Sequence, residues 1–166
     1  MNVPVADFLL VAWAAAVALC DCRSRRIPNS LVVAGLVAAF AVAFLQRNPF
    51  DVSMGQAALG FAIGLVVLLP LFVLGVMGAA DVKVFAVLGA WCGVHALFGL
   101  WVAASILGGM HAVWVLLSTR TRLASLGRQR GPTFAVGEKR ATPYAACLTA
   151  AAVALLVLHG VAGSVR

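Results

Sequence analysis

The chain has 166 residues, of which 64% are hydrophobic and only 10% charged, with five acidic against twelve basic side chains and a formal net charge of +7. A soluble domain carries about 25% charged residues, so this composition excludes a water-soluble globular protein and points to helices that face lipid. Nor does the basic excess indicate nucleic acid: the Lys and Arg residues cluster between apolar runs, where membrane orientation accounts for them.

In chain order, the first apolar run covers 3–20. No Lys or Arg precedes it and Asp7 lies inside it, which is not the pattern of a signal peptide. Cys20 follows Leu19 rather than the small residue of a lipoprotein cleavage site, so this segment is expected to remain as a helix. The second run, 30–45, is short and follows Pro28, a residue suited to a helix start. The third, 57–77, holds Pro70, where a kink is expected. Residues 82–117 then form a stretch of 36. As one helix it would extend about 54 Å against a hydrocarbon core of about 30 Å. Two helices turning near Gly93-Val94-His95 fit instead. A polar stretch at about 119–142 reads as a cytoplasmic loop, and a last apolar run covers 143–161. The predicted fold is an all-α membrane protein, a bundle of six transmembrane helices. It forms a single polytopic domain over 1–166, with no soluble domain and no internal repeat.

Loop charge supports that count. Six spans put Arg23, Arg25, Arg26, Lys83, Arg120, Arg122, Arg128, Arg130, Lys139 and Arg140 on one face and only Arg47 and Arg166 on the other, ten against two. Reading 82–117 as one span would leave seven against five, which is no bias. The positive-inside rule therefore predicts both termini outside and the basic loops in the cytoplasm.

The cysteines Cys20, Cys22, Cys92 and Cys147 include no CxxC pair, so small apolar side chains are the ordinary reading. His95 and His111 are too far apart, with no Glu nearby, for a metalloprotease, and Gly-x-Ser-x-Gly is absent. No metal or cofactor is expected.

Membrane topology does not explain Asp21 in DCRSRRIPN or Asp81 in GAADVKVF. In the six-span layout Asp21 ends the first helix and Asp81 begins the fourth. Both then lie at the cytoplasmic boundary, where an ionised carboxylate is costly. Asp7 and Asp51 fall on the opposite side, and Glu138 lies in the basic loop. Two readings stand. In one, Asp21 pairs with Arg25 or Arg26 while Asp81 complements the dipole of a helix N-terminus. In the other, the two carboxylates meet and share one proton, because like charges at such range do not both ionise. A pair of that kind serves as general acid and base on a peptide bond without metal or cofactor, and it titrates as a unit.

DCRSRRIPN resembles the D-x5-I-P-N motif of the bacterial type IV prepilin peptidases, a family of GxGD-type membrane aspartate proteases. MGAADVK resembles the family's GxGDxK motif, and TPYAACLTAAA resembles the P-Y-G stretch that opens its last helix. Order, spacing and the six-helix layout agree over almost the whole chain. The similarity is to the short, TadV/CpaA-like branch, which lacks the methyltransferase region and its paired CxxC motifs.

The resemblance implies that Asp21 and Asp81 are the catalytic pair. It places Lys83 where its charge holds a carboxylate ionised, has Pro28 and Asn29 shape the loop after Asp21, and leaves Gly78 as the remaining glycine of the second motif. By local context alone, Pro28 is an ordinary helix start and Lys83 a side chain reaching for the interface. Two positions depart from the family: Ala80 stands where it has glycine before the second aspartate, and Ala145 where it has the last glycine. If position 80 requires φ > 0, alanine costs about 1 kcal/mol there; if it requires only close approach of a substrate backbone, a methyl is the smallest intrusion.

The implied activity is that of an aspartate endopeptidase of the bacterial inner membrane. It would cleave the short N-terminal leader of type IV or Flp-type prepilins at the cytoplasmic membrane edge. Its implied partners are a prepilin-like substrate, the lipid bilayer and the pilus assembly machinery, with no nucleic acid. The competing reading is a non-enzymatic membrane protein, either a small proton-coupled transporter or an inactive scaffolding relative. A transporter places ionisable groups near the midplane, whereas these carboxylates are predicted at one edge.

Overall fold

The apolar runs fold into five α-helices in a computed structural model that describes residues 5–24, 26–125 and 143–164. They are α1 (Val5–Ser24), α2 (Asn29–Phe44), α3 (Met54–Val73), α4 (Ala79–Ser125) and α5 (Tyr144–Ser164), and no strand occurs among the described residues. By length and composition α1, α3, α4 and α5 are able to cross a membrane. Helix α2 has 16 residues and rises about 24 Å. Glu138 and the loop residues Arg25, Arg128, Arg130, Lys139, Arg140 and Arg166 lie outside the described residues. So does most of the polar stretch at 119–142, whose first residues continue α4 through Ser125.

Helix α3 stops at Val73 rather than at 77, and Pro70 occupies its last turn. The exit is a Schellman turn: Gly75, at φ 70°, donates its N–H to Phe72 O at 2.9 Å, and Val76 donates to Leu71 O at 2.9 Å. The proline thus lies inside the helix, one turn before its end.

Helix α4 counts 47 residues, but Gly93 within it has φ 73° and ψ 173°. Only glycine adopts that backbone without strain. Segment 79–92 ends there and 94–125 folds back, so that Leu97 packs against Gly89. This is the turn the length argument placed at Gly93-Val94-His95, and it makes six helical segments from five continuous elements.

Segment 79–92 is the centre of the bundle. Val84, Phe85, Ala86, Val87, Leu88, Ala90 and Trp91 are all buried, the pattern of a helix that is apolar on every side and enclosed by others. Helix α3 meets it backbone to backbone. A β-carbon at Gly60 would strike the Gly89 carbonyl, and one at Gly64 would lie 3.0 Å from Ala86 Cα. Small residues four apart allow that approach, which is how helices associate where lipid removes the hydrophobic drive between them. Two indoles tie α2 to the same core: Trp91 Nε1 donates to Gly35 O at 3.1 Å, and Trp13 Nε1 to Leu31 O at 2.9 Å. Outward faces remain apolar, with Phe8 67%, Phe44 74%, Phe98 74% and Trp114 72% exposed. Apolar surface on that scale suits lipid and not water.

Contacts sort the connections into two ends. Phe50 meets His159 edge-on with ring centroids 5.7 Å apart, and Asn48 Nδ2 donates to Trp91 O at 3.1 Å. The α2–α3 connection with Asp51, the Gly93 turn and the last turns of α5 therefore share one end. The start of α2 and the start of α4 share the other, where Lys83 reaches Asn29.

The glycine contact is testable by thermal unfolding in detergent. Gly60→Leu is expected to destabilise by roughly 1–3 kcal/mol through overpacking. Gly55→Leu, at a position where an added β-carbon would have no neighbour within 4 Å, is expected to leave the melting temperature unchanged or raised.

Candidate active site

Asp21 belongs to the inward stripe of α1. Ala6, Leu10, Trp13, Ala14 and Val17 are the buried residues before it, at helical spacing. The next position on that face is Asp21, itself only 7% exposed. Helix periodicity thus carries a carboxylate, not another aliphatic side chain, into the bundle.

A buried carboxylate needs donors, and the start of α5 has them to give. Pro143 O accepts from Cys147 N at 3.3 Å, so the N–H groups of Tyr144, Ala145 and Ala146 find no acceptor within their own helix. The Ala146 N–H donates to Asp21 Oδ2 at 2.9 Å.

Asp81 approaches the same turn from α4. Gly78 O accepts from Asp81 N at 3.1 Å and from Val82 N at 3.4 Å. Gly78 is thereby the N-cap residue, and Asp81 is the third residue of the helix. From that position the side chain folds back, so that its carboxylate lies beside the backbone of Gly78 and that of Ala145. It also lies within electrostatic reach of Asp21. Ala145 and Ala146 are consecutive, their Cα atoms about 3.8 Å apart. One turn of α5 therefore faces both aspartates, its Ala146 amide bonded to Asp21 and its Ala145 backbone beside Asp81.

The structure brings Asp21, Asp81 and Gly78 together. A β-carbon at Gly78 would lie 3.1 Å from Asp81 Oδ2, so this glycine leaves room for the carboxylate to fold back. Asp81 also satisfies the dipole reading, since it sits in the first turn of α4. Of the two arginines considered as partners of Asp21, Arg26 is exposed and Arg25 lies outside the described residues; among the described residues Asp21 accepts from the Ala146 N–H.

Lys83 and Asn29 are joined to each other. The exposed Lys83 Nζ donates to Asn29 Oδ1 at 2.8 Å, linking the first turn of α2 to α4 two residues beyond Asp81. Pro28 is the N-cap residue of α2, and its carbonyl accepts from Leu31 N at 3.0 Å, the ordinary helix start that its context indicates. Ala80 lies within α4 and has no positive φ, so the backbone does not demand glycine there. Ala145 is fully buried. His95 and His111 are exposed on segment 94–125. Among the described residues no three His, Cys, Asp or Glu side chains form a group that could hold a metal ion.

Sequence reasoning did not single out the amides of Ala145 and Ala146 or the contact between Ser105 and Tyr144, whose hydroxyls are 3.1 Å apart. Part of the signal is in the sequence: Pro143 ahead of an apolar run marks a helix start with orphan N–H groups. Nothing in the spacing says which acceptors reach them.

Comparison with known families matches residues 8–113 to the type IV leader peptidase family. That span covers more than half of the chain, from α1 into segment 94–125, and includes both aspartates. No curated protein and no solved structure matches the chain. The start of α5, which lies beyond the matched span, is connected to the two aspartates by the structure alone. The chain belongs to the type IV leader peptidase family.

Proposed function

We propose that this family member is an aspartate endopeptidase of the bacterial inner membrane that removes the leader of a prepilin-like protein, with Asp21 and Asp81 as its acid–base pair. The observation that supports this reading is the convergence of both carboxylates on the first turn of α5, where the Ala146 N–H bonds Asp21 and the Ala145 backbone lies beside Asp81. In this reading the two carboxylates share one proton between them. The ionised member takes a proton from water, and the water oxygen attacks the carbonyl carbon of the scissile bond. The protonated member gives its proton to the carbonyl oxygen, forming a tetrahedral diol. On collapse, one hydroxyl proton returns to a carboxylate, the amine nitrogen gains a proton, and the C–N bond breaks. One water is consumed and the pair regains its single proton. The two titrate as a unit, so neither is assigned permanently as acid or base.

The orientation follows from charge. Arg23, Arg26 and Lys83 lie next to the pair in the chain, and the positive-inside rule assigns such residues to the cytoplasm. A prepilin whose basic leader precedes an apolar helix would then present its scissile bond at the cytoplasmic membrane edge. The bond must be extended there, because a helical carbonyl is already hydrogen-bonded and shielded from water. Basic residues on both partners repel, so recognition rests on packing of the substrate helix within lipid.

Three outcomes test this. With a co-expressed prepilin in membranes, Asp21→Asn and Asp81→Asn are each expected to lower cleavage by at least about 100-fold while leaving insertion intact. Asp51→Asn changes nothing, because that residue sits at the opposite end and asparagine tolerates its φ of 53°. Cleavage persisting in either of the first two variants would refute the pair. Gly78→Ala, by crowding the Asp81 carboxylate, is expected to reduce kcat about 10-fold with KM little changed. Moving the scissile bond four residues along the substrate, about 6 Å of helix, is expected to reduce cleavage more than neutralising one leader Lys. The reverse ranking would make recognition electrostatic.

A further inference from the structure

The first turn of α5 is held from three directions. Asp21 reaches it from α1 through Ala146, and Asp81 reaches it from the start of α4 through Ala145. The third hold is a side-chain contact: the Tyr144 hydroxyl lies 3.1 Å from Ser105 Oγ, on segment 94–125. Tyr144 is the first residue of α5 and immediately precedes the two amides that face the aspartates. Its ring packs against the main core, so its position does not depend on the hydroxyl for burial. The hydroxyl contact fixes something else: how the first turn of α5 sits relative to segment 94–125.

That orientation matters because hydrogen bonds weaken steeply with misalignment. A small rotation of the first turn would turn both amides away from both carboxylates at once. The Asp21 and Asp81 contacts are made by the groups the proposed chemistry must protonate and deprotonate, so their strength changes during turnover. The Ser105–Tyr144 contact joins two neutral hydroxyls, with Asp81 and Cys147 within electrostatic reach of Tyr144, and can hold the turn in place while the aspartates exchange their proton.

We propose that Tyr144, through its hydrogen bond to Ser105, is a positioning residue: it holds the α5 amides of Ala145 and Ala146 in register with Asp81 and Asp21. The proposal rests on the reading of these aspartates as the acid–base pair.

Tyr144→Phe removes the hydroxyl and keeps the ring, and Ser105→Ala removes its partner. Each is expected to lower kcat about 10-fold with KM unchanged and to displace the pH profile of kcat. The double variant is expected to be no worse than either single one, since both break one bond, and Ser105→Thr, which keeps a hydroxyl, is expected to retain activity. Unchanged kcat and pH profile in Tyr144→Phe, or additive losses in the double variant, would overturn the proposal. A substrate-free readout separates it from the peptidase reading. Carbodiimide labelling of Asp21 and Asp81 in the intact protein, followed by mass spectrometry across pH, reports their titration directly. Displacement of that titration in Tyr144→Phe supports the positioning role even if no prepilin is cleaved. An unchanged titration refutes it even if cleavage by the parent protein is confirmed.

Discussion

Helix α5 begins with N–H groups that its own backbone does not satisfy, and the site is organised around that deficit. In water such groups would be solvated; within a bundle surrounded by lipid each needs a protein acceptor. Asp21, which is buried, and Asp81, which is half-buried, have the opposite requirement, since a carboxylate withdrawn from water needs donors. The Ala146 N–H bonded to Asp21 at 2.9 Å and the Ala145 backbone beside Asp81 meet both needs together. A helix N-terminus also carries partial positive charge, which lowers the cost of holding two like charges in one place. The arrangement is reciprocal: the carboxylates complete the helix, and the helix makes their proximity tolerable.

That junction is only as well placed as the segments that bring the aspartates to it. Asp21 is placed by the period of α1, whose inward stripe runs from Ala6 to Val17 before reaching it. Asp81 is placed by the central segment 79–92, whose residues 84–92 are all buried and pressed against Gly60 and Gly64 of α3. These glycine contacts let backbones touch, so the segment has little room to slide or rotate. Trp13 and Trp91 add hydrogen bonds to α2 carbonyls and fix the remaining neighbour. Packing far from the carboxylates therefore determines the geometry at them.

The site divides its parts among different helices. Side-chain oxygens come from α1 and α4, main-chain donors from α5, and a bracing hydroxyl from segment 94–125. The Lys83–Asn29 bond stands beside this group and fastens α2 to α4. The two aspartates thus gather at the end of the bundle shared by the starts of α2, α4 and α5, opposite the end that holds Asp51 and His159.

Much of this was legible in the residues. Length and hydropathy identify the helical runs, and a 36-residue apolar stretch must break because a bilayer is too thin for it; Gly93 supplies the break since glycine alone takes its backbone angles freely. The two aspartates stand out because an apolar chain does not place carboxylates at helix ends without cause. The end of α3 was less legible: an apolar run continues to Met77, while Gly75 and a Schellman turn close the helix at Val73. Ala80 was ambiguous until its helical backbone removed the need for glycine. The sequence by itself determined what is local, namely which segments are apolar helices, where a turn needs glycine, and which charged residues membrane topology leaves unexplained. Only the tertiary structure decided which donor meets each carboxylate, because Asp21 and the Ala146 amide are 125 positions apart and no period or spacing rule reaches across that distance.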